Sequence, residues 1–341
     1  MATYPHVCVQ RALPEDAMRF QPTVRSGGRT RAVMPIGKLW MNGSTLRVRF
    51  IGGTAAQHAQ VKEQAGWWTE HANLRFEFND APDAEIRIAF NPTAGAWSYI
   101  GTDNRRIPVD QPTMNLGFMD GGTVAHEFGH AIGLAHEHQN PAGGIEWNEA
   151  TVIQSLSGPP NNWTEATIRH NVIDKYRADQ INGTSFDPDS IMLYFFPGNW
   201  VKSGVGTHAN NRLSAMDKAF IAGARAYPKT APTLVEAQQI QVNPSRRTSA
   251  SIGQAGEEDL FKFQVITGGA HIIDTRGSTD VVMKLFGPNS PTQVIAEDDD
   301  SGYGTNALIR ADLIQGLYYV QVRHYNRANG TGNYSVKVRR P

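Results

Sequence analysis

Three histidines and a glutamate that could form a metal site lie close together in the sequence, at His126, Glu127, His130 and His136. An α-helix advances about 3.6 residues per turn, so His126 and His130 project from one face, where two imidazoles can hold one Zn²⁺. Glu127 lies beside the first histidine, where a carboxylate can reach a metal-bound water without ligating the metal. Gly133 suits the left-handed turn that ends a helix, and this turn would bring His136 to the metal. Three protein ligands leave one position open for water, as in a catalytic zinc site.

The residues around these side chains resemble the long zinc signature of the metzincin metallopeptidases. Glu137 follows the third histidine, as in the astacin branch of that group. Residues 190–194 are similar to the Met-turn of metzincins, in which Met192 would pack beneath the histidines as an adaptable apolar floor. In astacins the residue at the position of Tyr194 is an additional, mobile zinc ligand. The resemblance covers most of residues 39–228.

This resemblance implies a secreted zinc endopeptidase that acts on proteins or peptides. Bound Zn²⁺ would lower the pKa of its water to about 7, and Glu127 would accept the proton and pass it to the leaving amine. Tyr194 would leave the metal when substrate binds and would donate a hydrogen bond to the oxyanion. Glu137 would support the ligands without touching the metal, and its counterpart in astacins meets the mature N-terminus.

Other functions are compatible with the same residues. One is a binding module, in which the metal site has decayed and the C-terminal domain is the working part. Another is a zinc hydrolase of non-peptide amides or esters, which a closed pocket would favour over a long cleft. The simplest alternative is a helix that carries histidines on a polar face without any metal. Chance rarely places the glycine, the third histidine, the methionine and the tyrosine together, which favours the metal site.

Length and composition limit the classes of protein to which the chain can belong. A chain of 341 residues is too long for the commonest single-domain size, so two domains are expected. The chain has 32 lysines and arginines against 32 aspartates and glutamates, which argues against partners such as nucleic acid or an anionic membrane. No run of about 18 apolar residues is present, so no membrane span is expected. The protein is expected to be a monomer.

The N-terminal segment, residues 1–38, is rich in Pro, Gly and Arg and predicts an irregular arm or the remnant of a pro-segment. It contains no charged region followed by an apolar one, so no signal peptide is visible and secretion is expected from the resemblance alone. Cys8 is the only cysteine, which excludes an intrachain disulfide. A pro-segment cysteine blocks the zinc in several metzincin groups, so Cys8 is a candidate latency switch. The alternative is an ordinary thiol in a mobile arm.

The elements before the histidines are similar to the upper half of a zincin, an α+β fold with a twisted mixed sheet and an active-site helix. Residues 46–50 alternate apolar and polar side chains, as a half-buried strand does. Thr54 can cap a helix that runs to about His71. Residues 74–78 and 85–90 also alternate and predict two further strands. Thr123 can cap the helix that carries the first two histidines.

Trp97, Ser98 and Tyr99 are the candidate substrate-binding residues. In metzincins an edge strand above the metal binds the extended substrate through main-chain hydrogen bonds. These residues lie before the active-site helix, at a position that suits this role. The alternative is an ordinary core strand that contains two aromatic residues.

The C-terminal part of the chain differs in character from the part that holds the histidines. Residues 229–243 contain prolines among small and polar residues and predict a linker. Residues 244–341 contain short strands between turns, which predicts an all-β sandwich. They resemble the jelly-roll-like pre-peptidase C-terminal domain of secreted bacterial peptidases. The acidic run Asp298, Asp299 and Asp300 is either a Ca²⁺ site or a solvated turn. The predicted domains are thus an arm (1–38), an astacin-like zinc peptidase domain (39–228), the linker (229–243) and the sandwich (244–341).

Overall fold

The chain forms two compact units. The structure is a computed structural model that describes residues 9–11, 34–35, 38–159, 161–176, 181–182, 185–223, 226–229, 236–327 and 329–341. One unit comprises Arg47–Glu70, Phe76–Phe220 and the described residues up to Leu39; the other comprises Trp40–Leu46, His71–Arg75 and the described residues from Ile221 onward. Cys8 and residues 230–235 of the predicted linker lie outside the described residues. The domain limits inferred from composition stay a prediction.

A six-stranded mixed sheet is the frame of the first unit. The strands are β1 (Val9–Arg11), β2 (Met34–Pro35), β3 (Thr45–Ile51), β4 (Arg75–Phe78), β5 (Ile86–Ala89), β6 (Ala96–Tyr99), β7 (Met114–Leu116) and β8 (Ile181–Asn182). The sheet has the order β1-β6-β7-β5-β3-β4, and β2 pairs separately with β8. Neighbours β3, β5 and β7 are parallel, whereas β6 is antiparallel to β7. The mixed sheet and its helices confirm the predicted α+β class.

The helix α1 (Ala55–Thr69) follows β3, close to its predicted limits. Thr54 caps it as expected, because its hydroxyl accepts from the backbone N–H of Gln57 while the Gln57 side chain accepts from the backbone N–H of Thr54. One face of the helix is buried and includes Val61, Ala65 and Trp68. The indole Nε1 of Trp68 donates to the carbonyl oxygen of Ala125 over 2.7 Å, which fastens α1 to the next helix.

The helix α2 (Thr123–Ala131) carries His126 and His130. Its N-cap is Gly122, so the prediction that Thr123 is the cap was wrong. The Thr123 hydroxyl instead donates to the carbonyl oxygen of Asp120 over 2.7 Å, so its oxygen does not cap the helix's own N–H groups. Gly133 has a φ of 109°, and this left-handed residue turns the chain back after α2, as the sequence predicted.

The rest of the first unit is made of short helices around a second core. They are α3 (Glu149–Ser157), α4 (Glu165–Ile168), which continues into a π-helical turn (Arg169–Ile173), and α5 (Ala215–Ile221). The core beneath them contains Val152, Leu156, Ile168, Phe196 and Trp200. No helix among the described residues is long and apolar enough to cross a membrane.

The second unit contains the predicted all-β sandwich. Its strands are β9 (Gln238–Gln239), β10 (Thr248–Ile252), β11 (Glu258–Val265), β12 (Gly269–Gly277), β13 (Val281–Phe286), β14 (Val294–Asp298), β15 (Leu308–Leu313), β16 (Gly316–His324) and β17 (Gly332–Arg339). They form two sheets of order β10-β17-β12-β15 and β14-β13-β16-β11-β9. Apolar side chains from both sheets, such as Phe263, Val320 and Val336, make one buried core.

Candidate metal centre

Two backbone carbonyl groups orient the histidines of α2. Nδ1 of His126 lies 2.8 Å from the carbonyl oxygen of Ile191, and Nδ1 of His130 lies 2.8 Å from that of Leu134. A carbonyl oxygen only accepts hydrogen bonds, so each Nδ1 carries the ring proton and each Nε2 keeps its lone pair. Both Nε2 atoms are therefore available to ligate a metal.

The ring nitrogens of His126, His130 and His136 converge on one point. They lie within 4.8 Å of one another, and no other three metal-ligating side chains in the described part of the chain do so. Nε2 of His130 is 3.0 Å from Nε2 of His136, close to the separation of about 3.3 Å expected from bonds of about 2.0–2.1 Å at a tetrahedral zinc. Nε2 of His126 is buried and has no hydrogen-bond partner among the described residues. This donor set fits a zinc ion held by three protein ligands.

Burial sets the charge state of the three imidazoles. It lowers the pKa of His126 to about 4 and holds the pKa of His130 and of His136 well below the usual range for histidine. All three rings are therefore neutral near pH 7, which is the form that binds a metal ion. The site is ready for a cation without first losing protons.

Glu127 is fully buried in the protein, yet it is one of the residues that line a cavity of about 320 Å³. Neither of its oxygens has a hydrogen-bond partner among the described residues. Burial raises the pKa of this carboxyl well above its ordinary value. A carboxyl group in this state binds a proton readily, and Glu127 and His126 line the same cavity.

Tyr194 lies against the histidines. Its hydroxyl oxygen is 2.6 Å from Nε2 of His136, and its ring is stacked 4.7 Å from that of His126. Burial keeps the pKa of the phenol well above its ordinary value, so the hydroxyl retains its proton. His138 stacks 5.0 Å from His136, and its Nε2 donates to the carbonyl oxygen of Asn171 over 2.8 Å. Sequence reasoning missed His138, whose only signal was its position two residues after the third histidine.

Comparison with known proteins decides the family. A model of the family Astacin (Peptidase family M12A) matches residues 35–209, about half of the chain. The chain belongs to the astacin family. The structure of myroilysin is similar at 36% identity with a TM-score of 0.53, and the match covers 56% of this chain and 96% of that one.

Curated relatives share only part of their length with this astacin. Tolloid-like protein 1 from Mus musculus is 27% identical over 159 residues, and Tolloid-like protein 2 from Homo sapiens is 29% identical over 184 residues. These matches cover 46% and 52% of this chain. They cover 14% and 16% of the two relatives.

The Met-turn of this astacin packs directly beneath α2. Met192 is 2% exposed, and its sulfur would be 2.4 Å from a Cβ atom built on Gly129, so a side chain at position 129 would displace Met192. Asp217 holds the turn in place. Its carboxylate accepts from the hydroxyl of Ser190 over 2.7 Å and from the backbone N–H of Ile191 over 2.8 Å. The carbonyl group that orients His126 thus belongs to a residue that Asp217 anchors.

Glu137 connects the third histidine's loop to the Met-turn. Its Oε1 accepts from the side chain of Asn140 and from the backbone N–H of Asp187, both over 3.0 Å. The backbone N–H of Glu137 donates to the carbonyl oxygen of Met192 over 3.0 Å. Burial raises the pKa of this carboxyl to about 8 despite the two bonds, which act in the opposite direction. The structure therefore places Glu137 behind the ligands and away from the cavity wall.

The candidate substrate-binding residues lie in β6, at the side of the sheet remote from β4. One edge of β6 pairs with β7, and the other pairs with β1 in parallel register, so that Val9 lies opposite Trp97 and Arg11 opposite Tyr99. The Arg11 guanidinium carbon lies 3.7 Å from the centroid of the Trp97 ring. The N-terminal arm thus covers the edge at which the sequence places substrate.

The acidic run of the C-terminal unit begins at Asp298, the last residue of β14, and continues into the bend that follows. Oδ2 of Asp298 accepts from the backbone N–H of Ser301 and of Leu308, so this carboxylate stabilises the turn. Asp299 accepts from the backbone N–H of Asp300. A Ca²⁺ site at these residues stays a prediction.

Asp217→Ala should weaken zinc binding by about 10- to 100-fold, because the carbonyl group that orients His126 loses its anchor. It should also lower the free energy of unfolding by about 1–3 kcal/mol, since buried N–H groups lose their acceptor. Competition with a chelating dye measures the first effect, and thermal unfolding of the metal-free protein measures the second.

The matched control is Asp189→Ala. Asp189 immediately precedes the Met-turn, but its carboxylate is exposed and accepts from Nε2 of the exposed His208 over 3.0 Å. That variant should keep the wild-type zinc affinity and stability. Equal zinc affinity in Asp217→Ala and the wild type would contradict the anchoring role.

Proposed function

We propose that this protein is a secreted zinc-dependent endopeptidase with His126, His130 and His136 as the metal ligands. The observation that carries the proposal is the convergence of three buried, neutral imidazoles beside the unpartnered carboxyl group of Glu127. When bound, zinc supplies a Lewis acid that lowers the pKa of a water molecule to about 7 and polarises the scissile carbonyl group. Secretion is proposed from membership of the astacin family.

Glu127 is proposed to move the proton of the reaction. It lines the cavity beside His126, where the charge of a bound metal ion would favour its ionised form, so that it can take up a proton from an attacking water. The same carboxyl group can then release the proton to the leaving amine. Because no protein donor engages either oxygen among the described residues, the group is not committed to a structural bond.

Tyr194 is proposed to stabilise the oxyanion. Its hydroxyl lies at the convergence point of the histidines and retains its proton, so it can donate a hydrogen bond to a developing negative charge. Met192 is proposed as the apolar floor that keeps the ligand cluster in position from below α2.

Peptides and proteins are the proposed substrates, rather than small amides or esters. The support is β6, whose outer edge already accepts an extended segment, β1, through backbone pairing. An edge that binds one extended chain can bind another in the same way, with Trp97, Ser98 and Tyr99 supplying the backbone groups. A small ester or amide has no extended backbone that could pair with such an edge.

Glu127→Gln should retain zinc and lower kcat by about 10²- to 10⁴-fold, because the amide cannot accept the proton. The wild-type activity should disappear with a chelator and return with added zinc. Both are measured with quenched fluorescent peptides and casein, together with metal content, before and after limited proteolysis within residues 1–38. Substantial cleavage by the zinc-loaded variant would contradict the assignment of Glu127.

Tyr194→Phe should lower kcat by about 10²- to 10³-fold with little change in KM, because the lost hydrogen bond forms only as the oxyanion develops. Tyr303→Phe is the matched control, since Tyr303 is 83% exposed and lies in the C-terminal unit. An unchanged kcat in Tyr194→Phe would show that another group binds the oxyanion.

The N-terminal arm is proposed to keep the uncleaved chain latent. Its strand β1 uses the backbone groups of β6 that an extended substrate would need. Cys8 immediately precedes β1, and we propose its thiolate as a zinc ligand in the latent form.

Cys8→Ala and Gln10→Pro should each raise the activity of the uncleaved chain by at least about tenfold, which corresponds to about 1.4 kcal/mol of lost inhibition. The first change removes the thiolate, and the second removes a backbone N–H from β1. Peptide hydrolysis by chain shown intact by mass spectrometry is the measurement. No rise in either variant would end the latency proposal, whereas a rise in Gln10→Pro alone would assign latency to the strand and not to the thiol.

A further inference from the structure

The cavity of about 320 Å³ beside the catalytic residues has a wall of mixed chemistry. His126, Glu127 and Tyr194 line one part of it. The rest of its wall comes from the segment before α2, from the Met-turn and its continuation, and from the segment before α5, and it includes Phe118, Ile191, Leu193, Phe195, Asn210 and Asn211. The cavity therefore combines the site of proton transfer with a mainly apolar surface that could hold a substrate side chain.

Glu127 indicates which substrate residue enters this cavity. A general acid that protonates the leaving amine must lie close to that nitrogen. The residue that carries the nitrogen is the one directly after the scissile bond, so its side chain extends from beside Glu127. The residues of β6 do not line the cavity. The cavity thus suits the side chain that follows the scissile bond, while β6 suits the substrate's backbone.

The charges of the wall argue against an acidic side chain. Among the described residues that line the cavity, none is a lysine or an arginine. Apart from the catalytic residues, the charged contributor is Asp120, a carboxylate. A substrate carboxylate that entered would lose hydration, find no lysine or arginine to pair with, and be repelled by Asp120. Phe118, Ile191 and Leu193 would instead contact an aromatic or long aliphatic side chain.

Asn211 is the wall position at which specificity can be changed with least damage. Asn210 donates from Nδ2 to the carbonyl oxygen of Ser190 over 2.8 Å, so it supports the Met-turn and should be left intact. Asn211 is exposed, and its Oδ1 would be 2.2 Å from a Cβ atom built on Gly121. Its side chain therefore lies over the entry to α2, at the border of the cavity.

We propose that this cavity selects a large uncharged side chain directly after the scissile bond and rejects aspartate and glutamate there. The proposal rests on the proposed peptidase function and names its substrate class. Asp120 and Asn211 are the specificity-determining residues: the first repels a carboxylate and the second supplies no cation to attract one.

The test is a peptide library in which the residue after the scissile bond varies, with cleavage sites located by mass spectrometry. The wild-type protein, loaded with zinc and treated by limited proteolysis within residues 1–38, should have a kcat/KM for Leu or Phe peptides about 10- to 100-fold above that for Asp peptides. Asn211→Arg should shift this ratio at least tenfold toward Asp peptides. Asp120→Asn, which changes charge with little change in shape, should shift it in the same direction by a smaller factor.

Asn199→Arg is the matched control, because Asn199 is exposed and does not line the cavity. It should leave the ratio unchanged. A wild-type preference for Asp or Glu, an equal rate for all peptides, or an equal shift in the control would overturn the proposal. Failure of zinc-loaded wild-type protein to cleave any peptide would instead overturn the peptidase function on which the proposal rests.

Discussion

Two hydrogen bonds from imidazole to backbone determine how this site works. The carbonyl groups of Ile191 and Leu134 take the Nδ1 protons of His126 and His130, and this leaves both Nε2 lone pairs aimed at one point. Both carbonyl groups belong to residues that lie outside α2. Gly133, with its left-handed φ, turns Leu134 back toward the helix, and Asp217 anchors the backbone of Ile191. The helix spacing of the histidines would be of little use without these two acceptors.

Desolvation favours the neutral form of every titratable side chain in the site. It therefore lowers the pKa of the imidazoles and raises the pKa of Glu127 and of Tyr194. A cluster of neutral donors has no internal charge to hold it together, and packing must do so instead. Trp68 from α1 and Met192 from the Met-turn both contact α2, at Ala125 and Gly129. The apolar packing around α2 thus maintains an arrangement of polar groups that electrostatics alone would not hold.

Local patterns in the sequence were sufficient to predict the helix that carries the histidines, the turn at Gly133, the capping of α1 by Thr54 and the all-β character of the C-terminal unit. Each depends on residues within a few positions of one another, where helix, turn and strand rules apply. The predicted cap of α2 was wrong because the Thr123 hydroxyl donates to the carbonyl oxygen of Asp120. A threonine side chain has more than one backbone partner within reach, and the sequence does not show which one it takes. Asp217 was missed because its bonds to Ser190 and Ile191 join segments distant in sequence. His138 was missed because its partner, Asn171, lies in a π-helical turn that no periodicity reveals.

The outer edge of β6 would link the proposed substrate binding to the state of the N-terminal arm. A strand edge offers one row of N–H and C=O groups, and these groups can pair with only one extended segment at a time. In this structure β1 takes that row, in parallel orientation, and the Arg11 side chain lies on Trp97. If substrate binds as proposed, substrate and arm compete for the same hydrogen bonds, with no change in the histidine cluster required. The competition is unequal in principle, because the arm is covalently attached and has a high effective concentration. Cutting the chain after β1 removes that advantage. The cleaved segment is short and binds weakly, so an extended peptide can displace it from the edge of β6.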